Sequence, residues 1–292
     1  MEFKDTLYNI IAIAVVAVWG TTFISTKILI GYGLAPQEIF FYRFITAYAG
    51  IWVISSRKLF ADNLKDEFLL FLAGLTGGSV YFYTENSALG ITQAANVAFI
   101  LCITPLITAV LTKLFNRGET LSKNLFLGSA IALAGVALVV FDGVKVLKVS
   151  PAGDLLTLAA ALSWGFYGVI IRRLETRYDS VFITRKVFFY GALTILPVFI
   201  FEPLDMSVLL ASPVKVWLNL AFLSLVASLL CFWVWNVVIH RIGVVRTTNY
   251  VYLSPLVTLL ASSLILGERM GPVAIGGAVC ILAGVYLAGR KK

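Results

Sequence analysis

The chain has 292 residues, 60% of them hydrophobic and only 13% charged, with a mean hydropathy of +0.94. Soluble domains carry about 25% charged residues, so the composition excludes an ordinary soluble protein and predicts an integral membrane one. The formal charge of +8 does not indicate nucleic acid. The basic residues lie between apolar runs and form no patch, as expected if they orient the chain in a bilayer.

Ten apolar runs approach the roughly 20 residues a helix needs to cross the hydrocarbon. They fall at about 7–29, 37–54, 67–87, 92–114, 123–141, 153–172, 181–201, 214–239, 246–266 and 272–289. The connections are short, so no soluble domain is inserted. The first run follows Met1-Glu2-Phe3-Lys4-Asp5 without a small-residue cleavage site, which predicts a retained helix. It carries Trp19 near its middle and Lys27 near its outer end. The second holds Arg43 roughly 10 Å, about seven residues, past Pro36. In the third, "SVYFYTENSALG" (Ser79 to Gly90) sets Glu85 and Asn86 in an apolar, aromatic stretch with Tyr81 and Tyr83. Asn96, Phe99 and Pro105 belong to the fourth, Trp164 to the sixth, and Tyr252 and Pro255 to the ninth. Cys102, Cys231 and Cys280 all fall inside runs, a placement that argues against a disulfide framework or a metal site.

With the N-terminus inside, the cytoplasmic segments hold fifteen Lys and Arg and the opposite side only Lys145, Lys148, Lys215 and Arg269. Fifteen against four is a strong positive-inside bias. It predicts an even number of spans with both termini cytoplasmic.

The two halves repeat. "WGTTFISTK" (19–27) is echoed by "WGFYGVIIR" (164–172), and "FFYRF" places Arg43 where "FITRK" places Arg185. "GITQAANVAF" matches "GVVRTTNYVY", bringing Asn96 opposite Asn249. "TPLIT" matches "SPLVT", bringing Pro105 opposite Pro255, and Gly118-Glu119 matches Gly267-Glu268. "GSAIALAGVAL" (128–138) matches "GAVCILAGVYL" (277–287). The predicted fold is therefore an all-α integral membrane protein of ten transmembrane helices, as two five-helix repeats over residues 1–145 and 146–292. Five being odd, the repeats are inverted in the membrane, as in secondary transporters with a midplane substrate site.

By these motifs (the duplicated "WG", Arg43, "PLIT…GE" and "SPLVT…GE", and "AGV" in the fifth and tenth runs) the chain resembles the drug/metabolite transporter superfamily, specifically its EamA-type ten-helix members. The resemblance covers nearly the whole chain. It implies export or exchange of small metabolites, often amino acids, by alternating access in the plasma (inner) membrane. One departure stands out: the second half has Val238 opposite Glu85.

Duplication of Trp19 and Trp164 predicts an aromatic wall on a central cavity, with core packing as the alternative. Tyr81, Tyr83, Phe99 and Tyr252 could extend that wall. Pro105 and Pro255 each remove a backbone donor in mid-run and predict a bend or hinge. Gly128 and Gly135, like Gly277 and Gly284, are seven apart and predict close helix approach. Lys27, Arg43, Glu85, Asn86 and Asn96 share the outer half of the first repeat, where buried ions must pair or face water. They predict either braces at the mouths or a gate in which Glu85 is the counter-ion of Arg43, with Lys27 beside it. Protonation of Glu85 would weaken such a pair, one route to proton coupling. No metal, cofactor or catalytic motif is present, which argues against an enzyme. His240, the one histidine, sits near a predicted cytoplasmic end. The partners expected are a small-molecule substrate and lipid, with efflux of cationic drugs as the second reading.

Overall fold

The computed structural model describes residues 2–55, 58–115, 122–143, 150–258, 260 and 272–289. The loop of Lys145 and Lys148, and the pairs Gly118-Glu119 and Gly267-Glu268, lie outside the described residues. Helices α1 (Glu2–Gly31) and α2 (Pro36–Ile51) open the chain. Helix α3 (Leu64–Gly74) passes through a π turn, Leu75–Val80, into α4 (Tyr81–Ile91). Then come α5 (Ala94–Leu101), α6 (Thr104–Phe115), α7 (Lys123–Gly143), α8 (Pro151–Leu174) and α9 (Ser180–Ile195). Two short helices, α10 (Val198–Phe201) and α11 (Met206–Leu210), precede α12 (Val214–Ala221), which continues through a second π turn, Phe222–Leu230, into α13 (Cys231–Ile242). Helix α14 (Val244–Thr248) leads through a 3-10 turn, Asn249–Leu253, into a helical segment at 254–258, and α15 (Pro272–Gly289) closes the described chain.

All regular structure among the described residues is helical. Six helical runs there are long and apolar enough to cross a membrane: Thr6–Gly31, Ala94–Phe115, Lys123–Val140, Pro151–Leu174, Ser180–Phe201 and Val214–Ile242. The ten expected are thus six by this measure. Helix α2 has only 16 residues, and α3, where the third predicted run begins, opens with Lys65, Asp66 and Glu67 in its first turn. Much of the ninth run lies outside the described residues. Large apolar side chains, among them Leu155, Ile200, Phe201 and Val279, stand exposed on the helix faces, as they would toward lipid.

Contacts between the halves come in matched pairs. Helix α4 packs on α8, and its counterpart α13 packs on α1. Helix α5 meets α8 as the Asn249–Leu253 turn meets α1, and α6 meets α8 as the 254–258 segment meets α1 at Gly20. The Leu75–Val80 turn lies against α9 as the Phe222–Leu230 turn lies against α2, and two pairs, α2 with α9 and α7 with α15, are their own counterparts. At the α7–α15 seam a methyl on Gly135 would come 2.6 Å from the Gly277 carbonyl oxygen, and one on Gly277 2.7 Å from that of Gly135. Gly128 lies against Gly284 and Ala288. Rising numbers on α7 meet falling numbers on α15, so these equivalent helices run antiparallel. Only glycine permits backbones this close.

Two features depart from the sequence expectation. The third and eighth runs are interrupted by π turns, because small residues (Gly77 and Gly78; Ala227 and Ser228) let neighbours press in. A side chain at Gly77 would collide with the Tyr167 ring. The prolines also sit differently. Cys102 and Ile103 break the fourth run, so Pro105 is the second residue of α6. Pro255 is likewise the second residue of the segment after the 3-10 turn. At a helix start the missing N–H costs nothing, so each proline begins a new helix and does not kink a continuous one.

Candidate functional site

The duplicated Trp-Gly pairs explain themselves in three dimensions. Trp19 on α1 and Trp164 on α8 meet edge to face, with ring centroids 5.5 Å apart and planes at 89°. Trp235 lies tilted against the first at 4.8 Å, and Tyr81 and Tyr167 lie tilted against the second at 4.9 Å each. The glycines face the other way. Gly20 packs on Val257 and the Ser254 carbonyl, and Thr258 Oγ1 donates to the Gly20 carbonyl at 2.9 Å. Gly165 packs on Ile107 and Leu111 of α6. Each pair thus sends an aromatic ring to the centre and opens the opposite helix face to the proline-led helix of the other half.

The π turns complete this frame. A π turn leaves carbonyls without their usual intrahelical partner. Trp19 Nε1 donates to the Ala227 carbonyl at 3.0 Å in one turn, and Ser163 Oγ to the Thr76 carbonyl at 2.7 Å in the other. Each donor comes from the first helix of the opposite half.

Between these elements lies a cavity of about 60 Å3. Its aromatic wall is Trp19, Phe23, Tyr81, Phe82, Trp164 and Phe232; its polar lining is Thr22, Arg43, Glu85, Thr104 and Ser254. Thr104 and Ser254 are repeat mates directly before the two prolines, so the broken runs bring a hydroxyl from each half to the same space.

Arg43 and Glu85 are buried at 2% and 5% exposure. Arg43 Nε donates to Ser228 Oγ at 3.2 Å, and its guanidinium lies 4.4 Å from the Phe82 ring centroid, within cation–π range. Glu85 accepts from Tyr81 Oη at 2.9 Å. The two charges attract each other, yet among the described residues they form no direct ion pair within 4.0 Å. Two other buried carboxylates are held by a cation, Asp66 by Arg177 at 2.8 Å and Glu175 by Arg172 at 2.5 Å, while Glu38 accepts from the Ala35 and Asp205 backbone N–H groups at 3.0 and 2.8 Å.

The remaining expectations sort cleanly. Lys27 is not beside Glu85; its Nζ donates to the Thr92 carbonyl at 3.0 Å. Asn86 Nδ2 donates to the Pro36 carbonyl at 3.1 Å, tying α4 to α2. Asn96 Nδ2 donates to Asp154 Oδ1 at 2.5 Å, tying α5 to α8. These three lie outside the cavity lining, each hydrogen-bonded to another part of the chain. Tyr83, Phe99 and Tyr252 also lie outside it; Tyr252 is fully buried and its neighbour Val251 reaches the cavity instead. Sequence reasoning missed Thr22, Phe23, Phe82 and Phe232. The signal for the first two existed, since Thr22 and Phe23 follow Trp19 by three and four residues on one helix face.

Two matched helical halves around a shared aromatic and charged cavity define a membrane transporter. The chain belongs to the EamA-like transporter family, whose model matches residues 6–141 and again 151–290. Among its relatives, an uncharacterised transporter of Bacillus subtilis is 29% identical over 284 residues, covering 92% of this chain and 89% of the relative. A probable amino-acid metabolite efflux pump of Escherichia coli is 26% identical over 294 residues, 98% and 95% covered. A probable terminal-alkyne amino-acid exporter of Streptantibioticus cattleyicolor is 26% identical, 94% and 91% covered. A crystal structure 18% identical in sequence superposes with a TM-score of 0.73 over 96% of this chain and 97% of the other, a likeness of fold.

Proposed function

We propose that this transporter exports or exchanges small metabolites, with amino acids and related compounds as the leading class, by alternating access through the central cavity. Ten spans in two inverted halves, residues 1–145 and 146–292, carry the cavity across the plasma membrane with both termini cytoplasmic. The observation that carries the reading is that Trp19 and Trp164, equivalent residues of opposite halves, meet on one cavity wall. A site built from both halves is remade whenever they rock against each other. The amino-acid exporter names among the relatives support the substrate class, and the double match to the family model supports two halves.

The test is counterflow in proteoliposomes with a panel of radiolabelled amino acids, polyamines and organic acids. At least one amino acid should exchange, and Trp19→Ala or Trp164→Ala should slow it about fivefold or more, the value of one stacking or cation–π contact of ~1 kcal/mol. Unchanged transport in both variants, with protein still folded and inserted, would assign the tryptophans to packing. A cation-efflux reading has one observation in its favour, Glu85 among aromatic rings in the cavity. Arg43 in the same cavity weighs against it, because a lone cation would meet a like charge there.

A further inference from the structure

We propose that Glu85 and Arg43 form a zwitterion clamp: Tyr81 and Glu85 take the ammonium group of the substrate, Arg43 its carboxylate, and the Trp19–Trp164 wall its side chain. This deepens the transport reading above and rests on it. Three observations point to the clamp. Both charges line one cavity and both are buried. Each is held by a single neutral hydroxyl, Tyr81 Oη on Glu85 and Ser228 Oγ on Arg43, which fixes its position without neutralising it. They make no direct ion pair, unlike Asp66 with Arg177 and Glu175 with Arg172.

Buried charge in a bilayer must pair or face water. A carrier whose cavity offers one fixed anion and one fixed cation satisfies that demand best when a ligand brings one of each. The site is then neutral both empty and full, so loading and release cross the membrane interior with no uncompensated charge. A simple amine would leave Arg43 unmatched, and a simple acid would leave Glu85 unmatched. The asymmetry between the halves fits a ligand with two different ends. Arg185, the mate of Arg43, is held elsewhere by Ser55 Oγ at 2.6 Å and stacks on Trp52 at 4.6 Å. Val238 stands opposite Glu85 in the repeat. Only the first half carries the charged site.

The test measures binding to purified full-length protein in detergent by isothermal titration. The probes are the twenty proteinogenic amino acids, plus the decarboxylated amine and the deaminated acid of each apolar one (for leucine, isoamylamine and 4-methylpentanoate). The clamp predicts that at least one amino acid binds about tenfold or more tightly than both of its analogues, the discrimination expected from one charged hydrogen bond. In Glu85→Gln the advantage over the acid should vanish; in Arg43→Gln the advantage over the amine should vanish. Glu85→Asp and Arg43→Lys, which keep the charges, should retain part of each and serve where a neutral variant fails to fold. The clamp is overturned if amines or acids bind as well as their amino acids. It is equally overturned if no amino acid binds, or if each variant weakens all three ligand types alike. Counterflow of any other metabolite in the same preparation would leave the transporter reading standing while the clamp falls.

Discussion

Trp19 shows how much one residue can settle. Its ring joins Trp164, Phe232 and Trp235, while its indole N–H satisfies a carbonyl that the π turn at Ala227 leaves open. It is therefore both cavity wall and strut between α1 and the helix before α13. Arg43 and Glu85 pose the complementary case, two charges whose contribution depends on each other. Removing either strands the other in a low-dielectric space, a loss of about 3–5 kcal/mol for a buried charge left alone. Glu85→Gln and Arg43→Gln should each lower the thermal stability of the purified protein, and the double variant should recover part of the loss. Amino-acid binding should not recover with it. Equal and additive losses, read by scanning fluorimetry, would show that the two charges act independently.

At the scale of elements, small residues decide where helices touch. The Gly135–Gly277 approach is backbone against backbone, so no rotamer change can relieve an added side chain. Gly135→Val should reduce the yield of monodisperse protein and its melting temperature, with an overpacking cost of about 1–3 kcal/mol or more. Gly31→Ala, where an added methyl meets nothing within 4 Å, is the matched control and should be neutral by the same measurement. The helical pattern, the repeat and this glycine stripe were all legible in the sequence, because each rests on spacing alone. The π turns at Leu75–Val80 and Phe222–Leu230 were not, since their cause is a neighbour pressing into a gap, as Tyr167 does at Gly77. The prolines misled for a related reason. Position in an apolar run does not distinguish a proline that bends a helix from one that begins it. At the cavity, the tryptophan pair was legible from duplication, whereas Phe82 and Phe232 look like any other aromatic residue in an apolar helix. The hydrogen bonds of Asn86 and Asn96 depend on partners, the Pro36 carbonyl and Asp154, that lie 50 and 58 residues away.

For the whole molecule, the proposed orientation rests on the distribution of basic residues between the two sides of the apolar runs. A single cysteine replacing Lys148, in a chain whose three native cysteines are changed to serine, should react with a membrane-impermeant maleimide in intact cells. Labelling only after permeabilisation would remove the inverted ten-span arrangement, since it would place the connection between halves on the cytoplasmic side. The matched contacts across the molecule bear on how such an arrangement moves. Among the described residues most packings between halves have a counterpart, so a motion that loosens one set of contacts at one mouth has an equivalent set to tighten at the other.

The glycine seam carries one more consequence. Gly128 meets Gly284 and Gly135 meets Gly277, and in the repeat Gly128 corresponds to Gly277 and Gly135 to Gly284. The surface that α7 offers to α15 is therefore nearly the surface α7 would offer to another α7. A first half made alone would display a patch fitted to a second copy of itself, turned end for end. The single chain retains the geometry of a homodimer whose two subunits insert in opposite directions.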